Sequence, residues 1–370
     1  MNDRLRNLQQ FLIEHQFECG LITSKHNIFY LSNFDYEPHE RFIGIFVFPN
    51  RKSLMVVPAM EVAMVKEAGW ENEIISYTDT DNVWDIVRDT VNQIQTLAIE
   101  KQEISYFYIE KLRELQPSLR LSSLDEKLNN MRLIKSDDEL DKLQTAAEYA
   151  DLAVEFGIKS LKEGISEIEV MAEIEFLLKK KGIREMSFPP VVLFGENASN
   201  PHGVPGKRLL QKGDVVLFDL GVKYMGYSSD ITRTVVYDHA NEEFVNIYNT
   251  VLEANLVGID ACKPDIRMGD IDLAARTVIV NAGYGDHFPH RIGHGLGIDV
   301  HETPSLTLNN NGVLKTGMVL TVEPGIYING VMGVRIEDDV VITESGSSVF
   351  TKFPKTLQVV LPGKTICYSK

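Results

Sequence analysis

Two stretches of this chain share one pattern: a glycine, five residues, an acid, one residue, and a second glycine. The first is Gly213 to Gly221 with Asp219 as its acid, and it leads to Asp230; the second is Gly317 to Gly325 with Glu323, and it leads to Glu337. Asp219 and Asp230 sit symmetrically about the Met225-Gly226 turn region, and Glu323 and Glu337 about Gly330. A hairpin folded about either centre predicts two acids facing each other, with Cβ atoms roughly 5 Å apart. Four carboxylates at the ends of apolar strands do not all ionise in a partly buried site without counter-charge. A pair of divalent cations would supply it.

The histidines point to the same place. Four of the nine lie in His287-Phe-Pro-His290-Arg-Ile-Gly-His294-Gly-Leu-Gly-Ile-Asp-Val-His301. Gly293, Gly295 and Gly297 strip side chains from around His294, which predicts an imidazole that approaches a ligand at backbone distance. A carboxylate-rich set with one imidazole is hard, oxygen-dominated ligation, favouring manganese over a structural zinc, with cobalt or catalytic zinc as alternatives. Two such ions about 3.5 Å apart would generate a nucleophile from water at neutral pH and polarise a carbonyl. Hydrolysis of an amide is the natural use.

Composition narrows the class. With 370 residues, 44% of them hydrophobic, the chain buries a large core and is expected to form two domains. A net charge of −16 argues against a nucleic-acid partner, which needs a basic stripe. The start of the chain is amphipathic and no apolar run reaches membrane-spanning length, so neither a signal peptide nor a membrane span is expected. Cys19, Cys262 and Cys367 are far apart and odd in number, as expected of non-catalytic thiols in a reducing, cytoplasmic compartment.

Along the chain, residues 1–125 alternate short apolar runs (Gly20 to Thr23, Phe42 to Phe48, Ser53 to Val57, Leu97 to Glu100) with helical patterns, predicting an α/β amino-terminal domain. Residues 126–370 are expected to follow as a second, α+β domain that carries the acids and histidines. Ser136 with Glu139 and Ser166 with Glu169 are capping boxes, and they predict helices of roughly 27 and 15 residues. Strands dominate after Val191, with one more helix pair between Glu243 and Gly283. Two copies of a helix-plus-hairpin unit explain the repeated acidic pattern.

Four blocks, Phe218-Asp219 to Thr234, Gly293-His294 to Glu302, Thr321-Val-Glu323-Pro-Gly-Ile-Tyr, and Val334-Arg-Ile-Glu337-Asp, resemble the signatures of the pita-bread metallopeptidases. That family includes methionine aminopeptidase, aminopeptidase P, prolidase and the metal-free creatinase. Arg132 to Leu140, Met186 to Gly195 and Asn200-Pro-His202-Gly resemble the bacterial Xaa-Pro dipeptidases. The resemblance implies a pita-bread catalytic domain and a dinuclear Xaa-Pro dipeptidase. Alternatives are aminopeptidase P acting on longer Xaa-Pro peptides, a peptide-binding module without hydrolysis, and a hydrolase or lyase of a non-peptide substrate on the same scaffold.

By the same resemblance Asp219 chelates one ion, Asp230 and Glu337 bridge both, and His294 and Glu323 hold the other. Glu323 also shuttles the proton of the attacking water, while His202 and His301 bind substrate and stabilise the tetrahedral intermediate. Arg335 orients the bridging carboxylates and borders the substrate, or forms a structural ion pair. His290 either lines the substrate pocket or is a hydrogen-bonded loop residue. The pattern departs from some prolidases at Ser305, where they carry an arginine that grips the substrate carboxylate. Arg291 is the nearest cation in sequence. Arg41 is another, in a 35–41 segment resembling the loop that related homodimers extend into the neighbouring subunit's site.

Overall fold

The computed structural model describes residues 3–37 and 39–361, and the backbone of 364–367. Pro38, inside the segment that resembles an intersubunit loop, and the side chain of Cys367 lie outside the described residues. The chain divides into two compact units, Met1–Arg132 and Leu133–Lys370. Measured against the expected boundary after residue 125, the helix Asp125–Leu133 falls at the end of the first unit.

The first unit is a six-stranded sheet with its strands in the order 73–77, 54–58, 44–47, 19–22, 96–99 and 120–123. The four central strands coincide with the apolar runs of the sequence. The two edge strands, Glu73–Tyr77 and Arg120–Ser123, are largely solvent-facing and so carry no apolar run to mark them. Glu100, at the end of the strand Thr96–Ile99, is buried and accepts from the amides of Thr23 and Ser24 and from Asn27 Nδ2. Cys19 is buried here, and burial raises its thiol pKa.

The second unit repeats one plan twice. Capped helices Asp137–Ser160 and Glu167–Lys180 precede the hairpin of strands Val215–Leu220 and Ile231–Tyr237. Helices Glu242–Ala261 and Met268–Asn281 precede the hairpin of strands Val319–Val322 and Asp338–Thr343. Both capping boxes form, with Ser136 and Ser166 each accepting from the backbone three residues on. The two pattern-opening glycines are also equivalent: Gly213 and Gly317 have φ of 85° and 86°, and each donates its N–H to the far end of its hairpin, at Tyr237 and Ile342. The hairpins share an apolar core with the second helix pair, in which Leu217, Val251, Leu320 and Val340 are buried together. Cys262 lies in that core, and burial pushes its thiol up to about 12.

The register corrects one expectation. Gly325 pairs with Arg335 and Val322 with Asp338, so the second hairpin is centred on Gly330 and sets Glu323 against Glu337, as its symmetry predicts. In the first hairpin Tyr224 pairs with Tyr227 and Asp219 with Thr232. Met225 and Gly226 both have positive φ and form a two-residue turn, and this turn shifts the register by two residues. Asp230 is therefore the diagonal neighbour of Asp219 on the same face, not its opposite number.

Candidate metal centre

Three elements deliver the central groups. Asp230 precedes the strand Ile231–Tyr237, His294 sits in the short strand Gly293–Gly295, and Glu337 precedes the strand Asp338–Thr343. All three are buried, and one ligand atom from each lies within 4.8 Å of the others. His294 Nε2 is 3.8 Å from Asp230 Oδ2 and 3.3 Å from Glu323 Oε1. The imidazole Nδ1 stands 3.0 Å from the Gly295 carbonyl, which can only accept, so Nδ1 carries the hydrogen and Nε2 presents its lone pair to the acids. Burial, assisted by the neighbouring His301, lowers the His294 pKa to about 3, so the ring is neutral.

The acids are crowded. Burial, and then repulsion from neighbouring carboxylates (Glu337 on Asp230, Glu323 and Asp219 on Glu337), hold Asp230 and Glu337 well above the ordinary carboxylate range. Glu323 is pushed up to about 7 by burial, with Asp219 adding to the shift and Arg335 opposing it. Asp230 Oδ1 is buried with no hydrogen-bond partner among the described residues. A buried lone pair without a donor, an aimed imidazole nitrogen and three acids held above their usual range fit a divalent cation.

Asp219 is arranged differently. Its carboxylate receives Arg335 Nη2 at 2.5 Å and lies outside the three-residue cluster. Arg335 is the hub of this region: Nε donates to Thr232 Oγ1 at 2.9 Å, Thr232 Oγ1 donates to Glu337 at 2.6 Å, and Nη1 donates to Tyr327 Oη at 2.7 Å. Arg335 thus bonds one carboxylate directly, Asp219, and reaches Glu337 through the Thr232 hydroxyl. His290 belongs to the same chain of bonds, with Nε2 3.0 Å from Tyr327 Oη and Nδ1 2.8 Å from the Arg291 carbonyl. Burial lowers its pKa to about 4, which makes Tyr327 the donor to a neutral ring.

His301 lies at the rim, its ring centroid 4.3 Å from that of His294, with its pKa lowered by burial and by the charge of Arg291. His202 is exposed on the loop after the strand Val191–Phe194, where it disfavours protonation of His301 and His290. Arg291 Nη1 donates to Ser305 Oγ at 3.0 Å, placing the guanidinium beside the residue where the sequence departs from the prolidase pattern. Arg41 lies in the first unit, where it pairs with Asp79 at 2.9 Å.

Sequence reasoning missed the supports. Lys135 and Glu302 form a nearly fully buried ion pair at 3.2 Å, next to His301. Asp339, also buried, accepts the Asp230 N–H at 3.0 Å. Asp272 and Arg276 hold the 288–292 segment: Arg276 donates to the carbonyls of Phe288 and His290, and Asp272 accepts the Ile292 N–H. For Asp272 and Asp339 the available signal was an acid inside an otherwise apolar helix or strand face; Lys135 lies between two helices and carried none. The glycines flanking His294 also have a different reason from the one expected. A Cβ on Gly293 would stand 1.9 Å from the Thr321 carbonyl oxygen, and one on Gly295 2.2 Å from that of Thr303. Neighbouring backbone, rather than a ligand, requires them.

A buried carboxylate cluster with one aimed imidazole, carried on a duplicated helix-and-hairpin domain, defines a metal-dependent hydrolase. The profile of metallopeptidase family M24 matches residues 141–344, and that of the creatinase/prolidase N-terminal domain matches residues 4–134. The "Putative dipeptidase YkvY" of Bacillus subtilis (strain 168) is 48% identical over 97% of this chain and 100% of its own length. The prolidase of Pyrococcus horikoshii OT3 superposes with a TM-score of 0.89 at 35% identity, covering 95% of this chain and 99% of that one. The Xaa-Pro dipeptidase of Bacillus anthracis gives 0.90 at 34%, covering 96% and 99%. The chain belongs to metallopeptidase family M24.

Proposed function

We propose that this protein is a dinuclear Xaa-Pro dipeptidase, hydrolysing the imide bond of dipeptides with a free amino terminus and a free carboxylate. The observation that carries the reading is the convergence of Asp230, His294 and Glu337 around an unpartnered buried carboxylate oxygen, in a chain whose prolidase-like similarity runs through both domains. Asp219, Asp230, His294, Glu323 and Glu337 would hold two divalent ions, manganese before cobalt or zinc. When bound, the ions activate water and polarise the scissile carbonyl.

The chain's own residues do the rest. Asp230 and Glu337 would contribute to holding both ions. Arg335 keeps Asp219 and, through Thr232, Glu337 in fixed orientations. Glu323 takes the proton released by the attacking water and returns it to the leaving proline nitrogen. His202 and His301 donate to the oxyanion of the tetrahedral intermediate. Arg291, held beside Ser305, pairs with the substrate carboxylate, and His290 borders the proline ring. The enzyme works in the cytoplasm as a homodimer, with Arg41 contributed to the neighbouring subunit's site.

The test is a rate comparison of Leu-Pro, Leu-Leu and Leu-Pro-Pro using metal-stripped protein with manganese restored. A site that pairs a terminal carboxylate leaves its cation unmatched when that group becomes an amide. The dipeptide should therefore win by a factor on the order of 10 to 100 in kcat/KM. Equal rates for Leu-Pro and Leu-Pro-Pro would make the protein an aminopeptidase acting on longer peptides.

A further inference from the structure

The loop that carries His202 runs from Phe194 to Gly206 and has little regular structure beyond the short 3-10 turn Gly195–Ser199. A segment of this length is expensive to order. The Glu167 carboxylate, at the first position of the helix Glu167–Lys180 and fully buried, gathers it from both ends. Oε1 accepts the Phe194 N–H at 2.8 Å and Asn197 Nδ2 at 2.9 Å, and Oε2 accepts the Gly206 N–H at 2.9 Å. The helix reciprocates, its Glu167 and Ile168 amides donating to the carbonyls of Arg208 and Gly206. The other side of the loop rests on the hairpin that bears Arg335: a Cβ on Gly333 would stand 1.9 Å from the Ala198 carbonyl oxygen, and the Gly330 N–H donates to Ser199 Oγ at 3.1 Å.

The chemistry of Glu167 is unusual for a structural acid. Asp272, which steadies the 288–292 segment in the second repeat, has the cation Arg276 beside it. The partners of Glu167 among the described residues are three N–H groups, at a helix start where the backbone dipole favours negative charge. All three donors belong to the loop, so the carboxylate's solvation and the loop's conformation depend on each other. Losing the loop's arrangement would strand a buried charge, which makes the arrangement a discrete state.

We infer that Glu167 is a positioning residue: it sets the 194–206 loop in the one conformation that presents His202 to the reaction centre. This rests on the role given to His202 above. Glu167→Gln keeps the shape but turns an amide NH2 toward a donor, so the loop loses at least one of its three bonds.

The experiment is a double-mutant cycle of Glu167→Gln with His202→Ala on Leu-Pro, with metal content and hydrogen exchange measured on all four proteins. Glu167→Gln should lower kcat about tenfold with metal content unchanged, and should slow the enzyme less than twofold further in the His202→Ala background. Exchange in 194–206 should rise about tenfold while 293–302 is unaffected. Equal losses in both backgrounds, loss of metal, or unchanged exchange in 194–206 would each overturn the inference. If Glu167→Gln fails to fold, Asn197→Ala takes its place in the cycle, removing one of the three bonds from the loop side. Wild-type protein that does not cleave Leu-Pro refutes the dipeptidase reading, and the exchange data still decide whether Glu167 holds the loop.

Discussion

At the scale of single residues the site is a problem in proton placement. Asp230 and Glu337 lie well above the ordinary carboxylate range and Glu323 is at about 7, while His294 at about 3 is neutral throughout. Without metal, the native state holds protons that the unfolded chain releases from about pH 4 upward. His294 and His290, neutral in the native state, work the other way below about pH 6.5, where the unfolded chain protonates them, so the native state's excess of protons stands unopposed only above that pH. The acids' contribution is fully present below their unfolded pKa values and is lost as pH rises through their folded values. Chelator-treated protein should therefore melt at progressively lower temperature between about pH 6.5 and pH 7.5, and the melting point gained on adding manganese should grow over the same range. A chelated melting point that climbs with pH over that range would contradict this. Asp230→Asn and Glu337→Gln remove charge with little change in volume, and each should lose both ions together because both acids are assigned as shared. Elemental analysis finding two ions still bound to Asp230→Asn would remove that assignment.

Elements set these residues only as firmly as their anchors allow. The 296–302 segment brings His301 to the rim, and the Lys135–Glu302 pair fixes it, with Glu302 also accepting the Asp299 N–H at 3.1 Å. Removing one member of a buried pair strands the other charge. Lys135→Met should destabilise the protein by roughly 3–5 kcal/mol in chemical denaturation. Lys135→Met combined with Glu302→Gln removes both charges and keeps the acceptor for Asp299, so the double variant should be more stable than Lys135→Met alone. If the double variant is the weaker of the two, the pair's contribution is not electrostatic.

For the whole molecule the open question is whether one chain completes a site. Arg41 pairs with Asp79 on an exposed surface of the first unit. Solvent-screened pairs of this kind are weak and exchange partners easily. If Arg41 serves the neighbouring subunit, mixing Arg41→Ala with Asp219→Asn protein should restore activity, because one site in each mixed dimer has an intact acid set and an intact borrowed loop. Proven subunit exchange with no recovery would place Arg41 outside the reaction. Among the described residues no helix is long and apolar enough to cross a membrane.

The sequence by itself determined the period-based features. Apolar runs marked the central strands of the first sheet, and capping boxes marked the starts of Asp137–Ser160 and Glu167–Lys180. The repeated Gly-x5-acid-x-Gly marked both hairpins, because helix caps, strand alternation and turns are written in neighbouring residues. Through the family resemblance the sequence also put Asp219, Asp230, His294, Glu323 and Glu337 in one ligand set, of which the fold gathers Asp230, His294 and Glu337 most closely and pairs Asp219 with Arg335. Tertiary structure decided what depends on distant partners. The Met225-Gly226 turn set a register that pairs Asp219 with Thr232. Strand approach at Thr321 and Thr303 imposed the glycines around His294. Glu167, Asp272 and Lys135 became supports because burial leaves a charge no alternative to the partners that the fold brings to it.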